Sequence, residues 1–457
     1  LFISIYCGLM ILLASCNNYL DVKPKGKIIP ETAEDFSTII HYWLDQIEKG
    51  RDDVIIPNPE VMTTLEMFAD DLNATLASSF GYTSIYVGSA INKNQATYKT
   101  LYSVIKDCNM VIGNMDDTES DLARTLLGTA WSIRSICYYN LMQRYCEPYQ
   151  PETAKETLGL PLVDDFDMEA KPARANLKET AEFIEEGFRK ALSYNVSNED
   201  FIFTSSVTKA YFARFFFWTQ NWSNAITYAK EVLEKYPMLE ADEYVEAINQ
   251  KQAKAHNVII RSFTMDDDIG TMSYATAQAD IKSRPVDRNL VDLFAATDND
   301  VRRRCNYDSK RIVNKIITTK FRSEELCLII AEAHAHLNQE TDALGYLNQL
   351  RSKRITQNYI AYTIDNLPEV FQQNIKTDAT GIPLTKLMSA ILCERRKELF
   401  VEGDRWFELK RNGRPEFWVA AKGKKFITEK YLYTFPIPKA DIRLFPDLLI
   451  QNPGYIE

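Results

Sequence analysis

The chain has 457 residues, of which 46% are hydrophobic and 25% are charged, and its formal net charge is −10. A chain of this length forms one large domain or two smaller ones, either of which buries a sizeable core. The acidic balance argues against a nucleic-acid partner, because non-specific nucleic-acid binding needs a basic surface.

The first fifteen residues carry no charged side chain and end in Leu13-Ala14-Ser15, followed by Cys16. This run is shorter than the roughly 20 apolar residues that span a bilayer, so it is typical of a signal peptide. Small residues before a cysteine resemble the lipobox of bacterial lipoproteins, which predicts cleavage after residue 15 and a lipid on Cys16. Because the run lacks a basic segment and an initiator Met, we expect the sequence to start inside its precursor. The alternative is a buried N-terminal helix.

Apolar residues spaced three and four apart dominate the rest of the chain, which predicts a mainly α-helical fold. The segments 101–112 and 126–145 each carry one broad apolar face and should pack as an antiparallel hairpin. No apolar run after residue 15 is long enough for a transmembrane helix.

A weak internal repeat links the segments 207–237 and 322–354, where small apolar residues recur at equal offsets on both sides of a polar turn. This pattern is typical of tetratricopeptide repeats, whose helix pairs stack into a superhelix. We therefore predict a helical core at about 99–237 and 320–412. Residues 240–319 show little periodicity and are interpreted as a variable, loop-rich insertion with a short strand at 258–260.

Three glutamates, Glu394, Glu398 and Glu402, recur every four residues and share one helix face. Like charges at this spacing repel, so we expect them to pair with Arg395, Arg405 or basic groups of a neighbouring helix. A catalytic carboxylate cluster is the less favoured alternative.

Motifs of known catalytic chemistry are missing from the sequence, which contains no phosphate-binding glycine loop, nucleophile elbow or dinucleotide fingerprint. His334 and His336 lie two apart on a predicted helix and diverge by about 200°, so they do not share a metal. The six cysteines after Cys16 show no metal-ligand spacing and are interpreted as small core residues, with one disulfide left open. We predict a protein that is not an enzyme and holds no metal or cofactor.

Several segments resemble the SusD/RagB family of Bacteroidetes outer-membrane lipoproteins. The most specific is 394–411, which reads ERRKELFVEGDRWFELKR, and three shorter segments support it: 17–24, 433–438 and 451–455. The resemblance implies a single domain, 16–457, in which four tetratricopeptide-like helix pairs support a variable, loop-rich face. It also implies a surface lipoprotein that binds oligosaccharide, lies as a lid over a SusC-like TonB-dependent transporter, hands its ligand over and does no chemistry.

Ligand sites of this family draw on two regions that correspond to the irregular segments 73–97 and 240–319. Sugars bind where a flat aromatic ring lies beside amides and carboxylates. The resulting candidates are Tyr82, Tyr86, Tyr274, Tyr307, Asp70, Asp71 and Asn73. Packing within the loops is the alternative for each of them. Neither segment contains Trp, which argues against a starch-type ligand.

Two alternatives to oligosaccharide binding remain. The same scaffold could bind peptides, as some relatives do, and a lipid-anchored glycoside hydrolase ranks last because neighbouring aspartates do not supply two carboxylates across a cleft. The run Asp266 to Asp268 is interpreted as solvated loop carboxylates, with a calcium site as the less favoured reading.

Overall fold

The computed structural model describes most of the chain after residue 30, and it is mainly α-helical. The described residues are 30, 32–49, 55–78, 86–93, 97–167, 171–250, 255–262, 272–295, 299–317 and 319–455, without the side chains of 92, 93 and 272–274. The expected leader and Cys16 lie outside these ranges. Within them, no helix is both long enough and apolar enough to cross a membrane.

The α-helices of the described residues are numbered here in chain order. They are α1 Ala33–Glu48, α2 Pro59–Phe68, α3 Thr97–Asn114, α4 Asp121–Tyr145, α5 Leu177–Ser193, α6 Ser205–Trp218, α7 Trp222–Lys235, α8 Ala241–Ile248, α9 Met272–Lys282, α10 Arg288–Val291, α11 Val301–Asn306, α12 Ser323–His336, α13 Glu340–Ser352, α14 Lys386–Glu398, α15 Arg405–Arg411 and α16 Lys439–Leu444.

Helices α3 and α4 pack against each other along their length, which confirms the predicted hairpin. The Ser120 hydroxyl begins α4 by accepting a hydrogen bond from the Ala123 amide at 3.2 Å. Aromatic rings close the far end, where Tyr98 and Tyr145 meet edge to face with centroids 4.9 Å apart. The short connection between the helices keeps them antiparallel neighbours.

The pairs α6–α7 and α12–α13 turn in the same way, which confirms the repeat. Gln220 and Asn338 follow the first helix of each pair with φ of 61° and 58°. In both turns the next amide N–H donates to the carbonyl five residues earlier, at 2.8 and 2.9 Å, a common way to end a helix. Fully buried Ala225 and Ala343 let the helices approach closely, and α7 also packs on α12, so the pairs stack.

The strands form three two-stranded antiparallel sheets in the described part of the chain. They are β1 Leu158–Pro161 with β2 Arg174–Asn176, β3 Val258–Arg261 with β4 Lys320–Arg322, and β5 Phe417–Ala421 with β6 Lys424–Thr428. The strand expected at 258–260 is therefore present, and it pairs with the residues that lead into α12.

The region 240–319 contains four short helices, α8 to α11, between irregular segments. Two of these helices bury few of their described side chains: α8 buries Tyr244 and Ile248, and α9 buries Ala277 and Ile281. So few apolar positions do not make a readable period in the sequence.

The three glutamates of α14 and the turn after it form a buried ion network, as the spacing predicts. Glu398 lies between Arg322 and Arg354, each 3.0 Å away, with no exposed surface of its own. Glu394 pairs with Arg302 at 2.7 Å, and Glu402 with Arg322 at 2.8 Å. These cations belong to neighbouring elements.

The expected partners Arg395 and Arg405 point to other carboxylates. The Arg395 Nε lies 2.9 Å from Asp404, and the Arg405 Nε lies 2.7 Å from Asp70. Burial acts to raise the pKa of Glu398, but the surrounding arginines outweigh it and hold that pKa well below its usual range. The network therefore keeps its carboxylates ionised, which suits a structural role.

Candidate functional site

A surface pocket of about 420 Å³ lies beside the loop that follows α2. Its walls are formed by residues 69, 70 and 72–75, by Asp287 and Asn289 at the start of α10, by Asn374, and by 416–419 at the start of β5. Four distant parts of the sequence thus meet at one site, and the first two overlap the segments expected to carry the ligand.

Amide groups hold the carboxylates of this pocket in fixed positions. The Asn73 Nδ2 donates to Asp287 at 2.9 Å, and the Asn374 Nδ2 donates to Asp70 at 2.8 Å. Asp287 in turn accepts from the Asn289 amide N–H at 3.0 Å, which begins α10. Preorganised donors and acceptors of this kind match the hydroxyl groups of a sugar.

The pocket also contains an aromatic platform, Trp418 on β5, whose side chain is 59% exposed. Trp418 pairs across the hairpin with Ile427, and the Lys425 Nζ lies 5.0 Å from the indole centroid. A large apolar ring left in water beside polar groups is unusual for packing alone and is typical of a binding surface.

The hairpin β5–β6 is positioned by a contact between backbones. Lys422 and Gly423 make its two-residue turn with φ of 51° and 70°, as hairpin turns of the primed types require. On the other side, Gly88 lies against β6 with φ of 48°, and a Cβ there would come within 2.6 Å of the Phe426 carbonyl carbon. A small cluster of Ala74, Val87 and Ala421 packs beneath the hairpin.

Sequence reasoning missed Trp418, because it looked for aromatic residues only in the irregular segments. A signal was present: Lys422-Gly423 lies between two segments rich in aromatic and β-branched residues, which is typical of a hairpin. The sequence did not indicate that this hairpin lies beside Asn73.

Of the predicted site residues, the structure brings Asp70 and Asn73 to the pocket. Asp71 is a correction: it has no exposed surface, and its Oδ1 lies 2.5 Å from the Arg396 Nε. Its carboxylate neutralises a buried guanidinium and is not available to a surface ligand.

The predicted tyrosines are not brought together. Tyr86 is half-buried against Phe68, with centroids 6.0 Å apart. Tyr307 is only 6% exposed and packs on Phe294, and it lines a different pocket, beside α11. Tyr82 lies outside the described residues, as do Asp266 to Asp268, and Tyr274 lies on α9 without a described side chain.

The two histidines of α12 diverge, as expected. The His334 Nδ1 contacts Gln339 at 2.5 Å, whereas His336 stacks on Trp222 with centroids 4.1 Å apart. Among the described residues, no group of three or more His, Cys, Asp or Glu is arranged to hold a metal ion. The six cysteines after residue 100 are free thiols and only Cys393 is not buried, which confirms them as mostly core residues.

Comparison with known proteins gives matches to two family models. One, described as the SusD family, matches residues 305–455. The other, described as "Starch-binding associating with outer membrane", matches residues 18–217. No curated protein matches at a significant level.

Solved structures of the SusD superfamily share this fold. One from Bacteroides vulgatus has a TM-score of 0.71 and 17% identity, covering 94% of this chain and 100% of its own. A SusD-like carbohydrate-binding protein from the same organism has a TM-score of 0.67 and 18% identity, covering 92% and 98%. A laminarin-binding SusD-like protein has a TM-score of 0.60 and 17% identity, covering 93% and 99%.

Proposed function

The chain belongs to the SusD family, and we propose that it is a lipid-anchored protein of the outer-membrane surface that captures oligosaccharide and delivers it to a SusC-like TonB-dependent transporter. The observation that supports capture most directly is the pocket in which exposed Trp418 lies beside amides and carboxylates. Two of the similar structures are described as binding carbohydrate, one of them laminarin.

Binding in this pocket combines apolar and polar contacts. A sugar that stacks its C–H face on Trp418 removes apolar ring surface from water, which contributes about 1–2 kcal/mol. Hydroxyl groups of the same sugar are within the reach of the exposed Asn289 amide and of Glu416, whose Oε1 accepts from the Lys430 amide at 3.2 Å. Each such hydrogen bond adds about 0.5–1.5 kcal/mol.

The electrostatics of Asp70 favour binding over hydrolysis. Burial acts to raise its pKa, but Arg405 and Arg396 outweigh burial and hold that pKa well below the usual range. A general acid for glycoside cleavage needs a raised pKa so that it carries a proton near neutral pH. Asp70 is therefore an acceptor of hydrogen bonds and not a proton donor.

Capture is tested by calorimetry of the mature protein against a panel of neutral oligosaccharides. We expect Trp418→Ala to weaken binding about tenfold or more, since a central Trp typically dominates a binding surface. The matched control is Tyr42→Ala, which removes an aromatic that is 56% exposed on α1 and does not line the pocket. Binding of a peptide library in place of glycans would favour the peptide alternative, and no loss of affinity in Trp418→Ala would reject this pocket.

Delivery depends on the anchor proposed at Cys16. A tether keeps the protein near the transporter at high effective concentration without any new contact. Cys16→Ala should abolish labelling by a radioactive fatty acid and move the protein from the membrane fraction to the soluble fraction. Retention of the variant in the membrane fraction would contradict the anchor while leaving the glycan pocket untouched.

A further inference from the structure

A second pocket, of about 510 Å³, lies on the other side of helix α10, and its wall carries three arginines. Arg303 and Arg304 belong to α11 and are exposed, and Arg311 follows in the next turn. The amides of Asn299 and Gln357 complete its polar lining. We call this cavity the arginine pocket.

Two carboxylates, Asp300 and Asp308, line the arginine pocket together with its three arginines. In the part of the chain that the structure describes, Arg303, Arg304 and Arg311 form no ion pair. Arg311 donates through its Nη1 to the Val286 carbonyl at 2.9 Å. Of the two carboxylates in the wall, Asp300 is bound by buried Arg302, and Asp308 accepts backbone N–H groups of its own turn at 2.8 Å.

Such a cluster is exceptional in a chain whose formal net charge is −10. Three guanidinium groups in one cavity repel one another, and an anion that enters relieves this repulsion. Guanidinium presents a planar fork of N–H donors, which matches the oxygens of a carboxylate or a sulfate in a bidentate geometry. The chemistry of the pocket is therefore that of a receptor for an oxyanion.

Helix α10 contributes a wall residue to both the arginine pocket and the pocket of Trp418. Asn289 lines one pocket and Val291 the other, and residues two apart on a helix point about 200° apart, so the pockets lie on opposite faces of this short helix. Arg288, also exposed, projects from the same helix without an ion pair among the described residues. A single ligand that occupies both pockets therefore has to pass around α10.

We propose that the arginine pocket binds an anionic substituent of the same glycan that stacks on Trp418, so that the preferred ligand is an acidic oligosaccharide. The substituent is the carboxylate of a uronic acid or a sulfate ester, both of which are oxyanions. This inference rests on the proposed function and specifies its substrate class. It also assigns separate tasks to the two pockets, since the first binds neutral ring and hydroxyl groups and the second binds charge.

The test compares glycans that differ only in charge. In the carboxylate arm, oligogalacturonate is titrated against its methyl ester, and in the sulfate arm, a sulfated oligosaccharide is titrated against its chemically desulfated form. The wild-type protein should prefer the charged member of at least one pair about tenfold at low salt. This preference should shrink in about 1 M NaCl, where the Debye length falls to about 3 Å.

The matched variants are Arg303→Gln/Arg304→Gln, which removes the charge, and Arg303→Lys/Arg304→Lys, which keeps it. The Gln pair should lose the preference for the charged ligand while its affinity for the neutral ligand stays unchanged, which also shows that the variant is folded. The Lys pair should retain part of the preference. Trp418→Ala should weaken the binding of charged and neutral ligands alike.

Three results would overturn the inference. If the wild type binds neutral glycans without preference in either arm, or if the Gln pair keeps the preference, the arginine pocket is not a glycan subsite, although the proposed function stands. If the Gln pair loses affinity for an acidic peptide and no glycan binds the wild type, the proposed function fails as well.

Discussion

The two sides of helix α11 place arginine in opposite settings. Arg302 points inward, has no exposed surface, and contacts Asp300 and Glu394 at 2.6 and 2.7 Å. Arg303 and Arg304 point outward and form no ion pair with the residues that the structure describes. Burying the Arg302 guanidinium costs several kcal/mol of desolvation, which its carboxylates offset, whereas water solvates an exposed guanidinium. Among the described residues, only the two outer arginines of this helix therefore keep a charge that no carboxylate pairs with.

The largest expected effect on stability comes from removing Glu398, the carboxylate at the centre of the buried ion network. Glu398→Ala leaves Arg322 and Arg354 with a lost partner in the core, so we expect a loss of about 3–5 kcal/mol in the free energy of unfolding. Urea denaturation followed by circular dichroism measures it. The control is Glu369→Ala, which breaks an exposed pair with Lys386 and should cost about 0.2–1 kcal/mol. Equal costs would mean that burial does not distinguish the two settings.

Two buried carboxylates, Glu66 and Glu394, have pKa values shifted in opposite directions. Glu66 has no exposed surface and accepts the Gly403 amide at 2.6 Å, and burial, together with the charge of Asp71, raises its pKa to about 8. Glu394 is the opposite case: burial acts to raise its pKa, but Lys397 and other cations lower it to about 2.

The sign of the pH dependence follows from these directions. The folded state keeps a proton on Glu66 that the unfolded state releases, so this group reduces stability as the pH rises from about 4.5 to about 8. The stability contributed by Glu394 is present above about pH 4.5 and is lost as the pH falls towards 2.

Glu66→Gln keeps the size and the acceptor of Glu66 but cannot ionise. We expect this variant to gain about 1–3 kcal/mol over the wild type at pH 8 and to match it near pH 4.5. Urea denaturation across this pH range measures the difference. The control, Glu60→Gln, alters an exposed residue of the same helix and should leave the pH profile unchanged. A constant offset between Glu66→Gln and the wild type at all pH values would show that Glu66 is ionised in the folded protein.

The sequence was sufficient to predict the long helices but not to predict how the candidate binding site is assembled. Helices α3 and α4 carry many buried positions, so their period is readable, whereas α8 and α9 bury too few side chains to be recognised. The spacing of Glu394, Glu398 and Glu402 predicted an ion network, but its arginines came from distant elements that no local pattern identifies.

The residues of the Trp418 pocket show the same limit of prediction from sequence. Asp70 and Asn73 were candidates because they precede an irregular segment, and both lie at the pocket. Asp71 differs from Asp70 by one position, yet it faces Arg396 in the interior. Both aspartates pair with a guanidinium far along the chain, Asp70 with Arg405 and Asp71 with Arg396, and only Asp70 also lines the pocket. Trp418 reaches Asn73 only through the packing of a hairpin.

The contact between Gly88 and strand β6 sets the position of the Trp418 indole, although Gly88 itself does not line the pocket. The hairpin rests on a small cluster and on bare backbone, so any side chain at Gly88 has to lift β6 away. A substitution there would move the indole relative to Asn73 without altering a group that touches the ligand. A side chain at position 88 can therefore change ligand preference by displacing the hairpin, while the helix pairs and their ion network stay as they are.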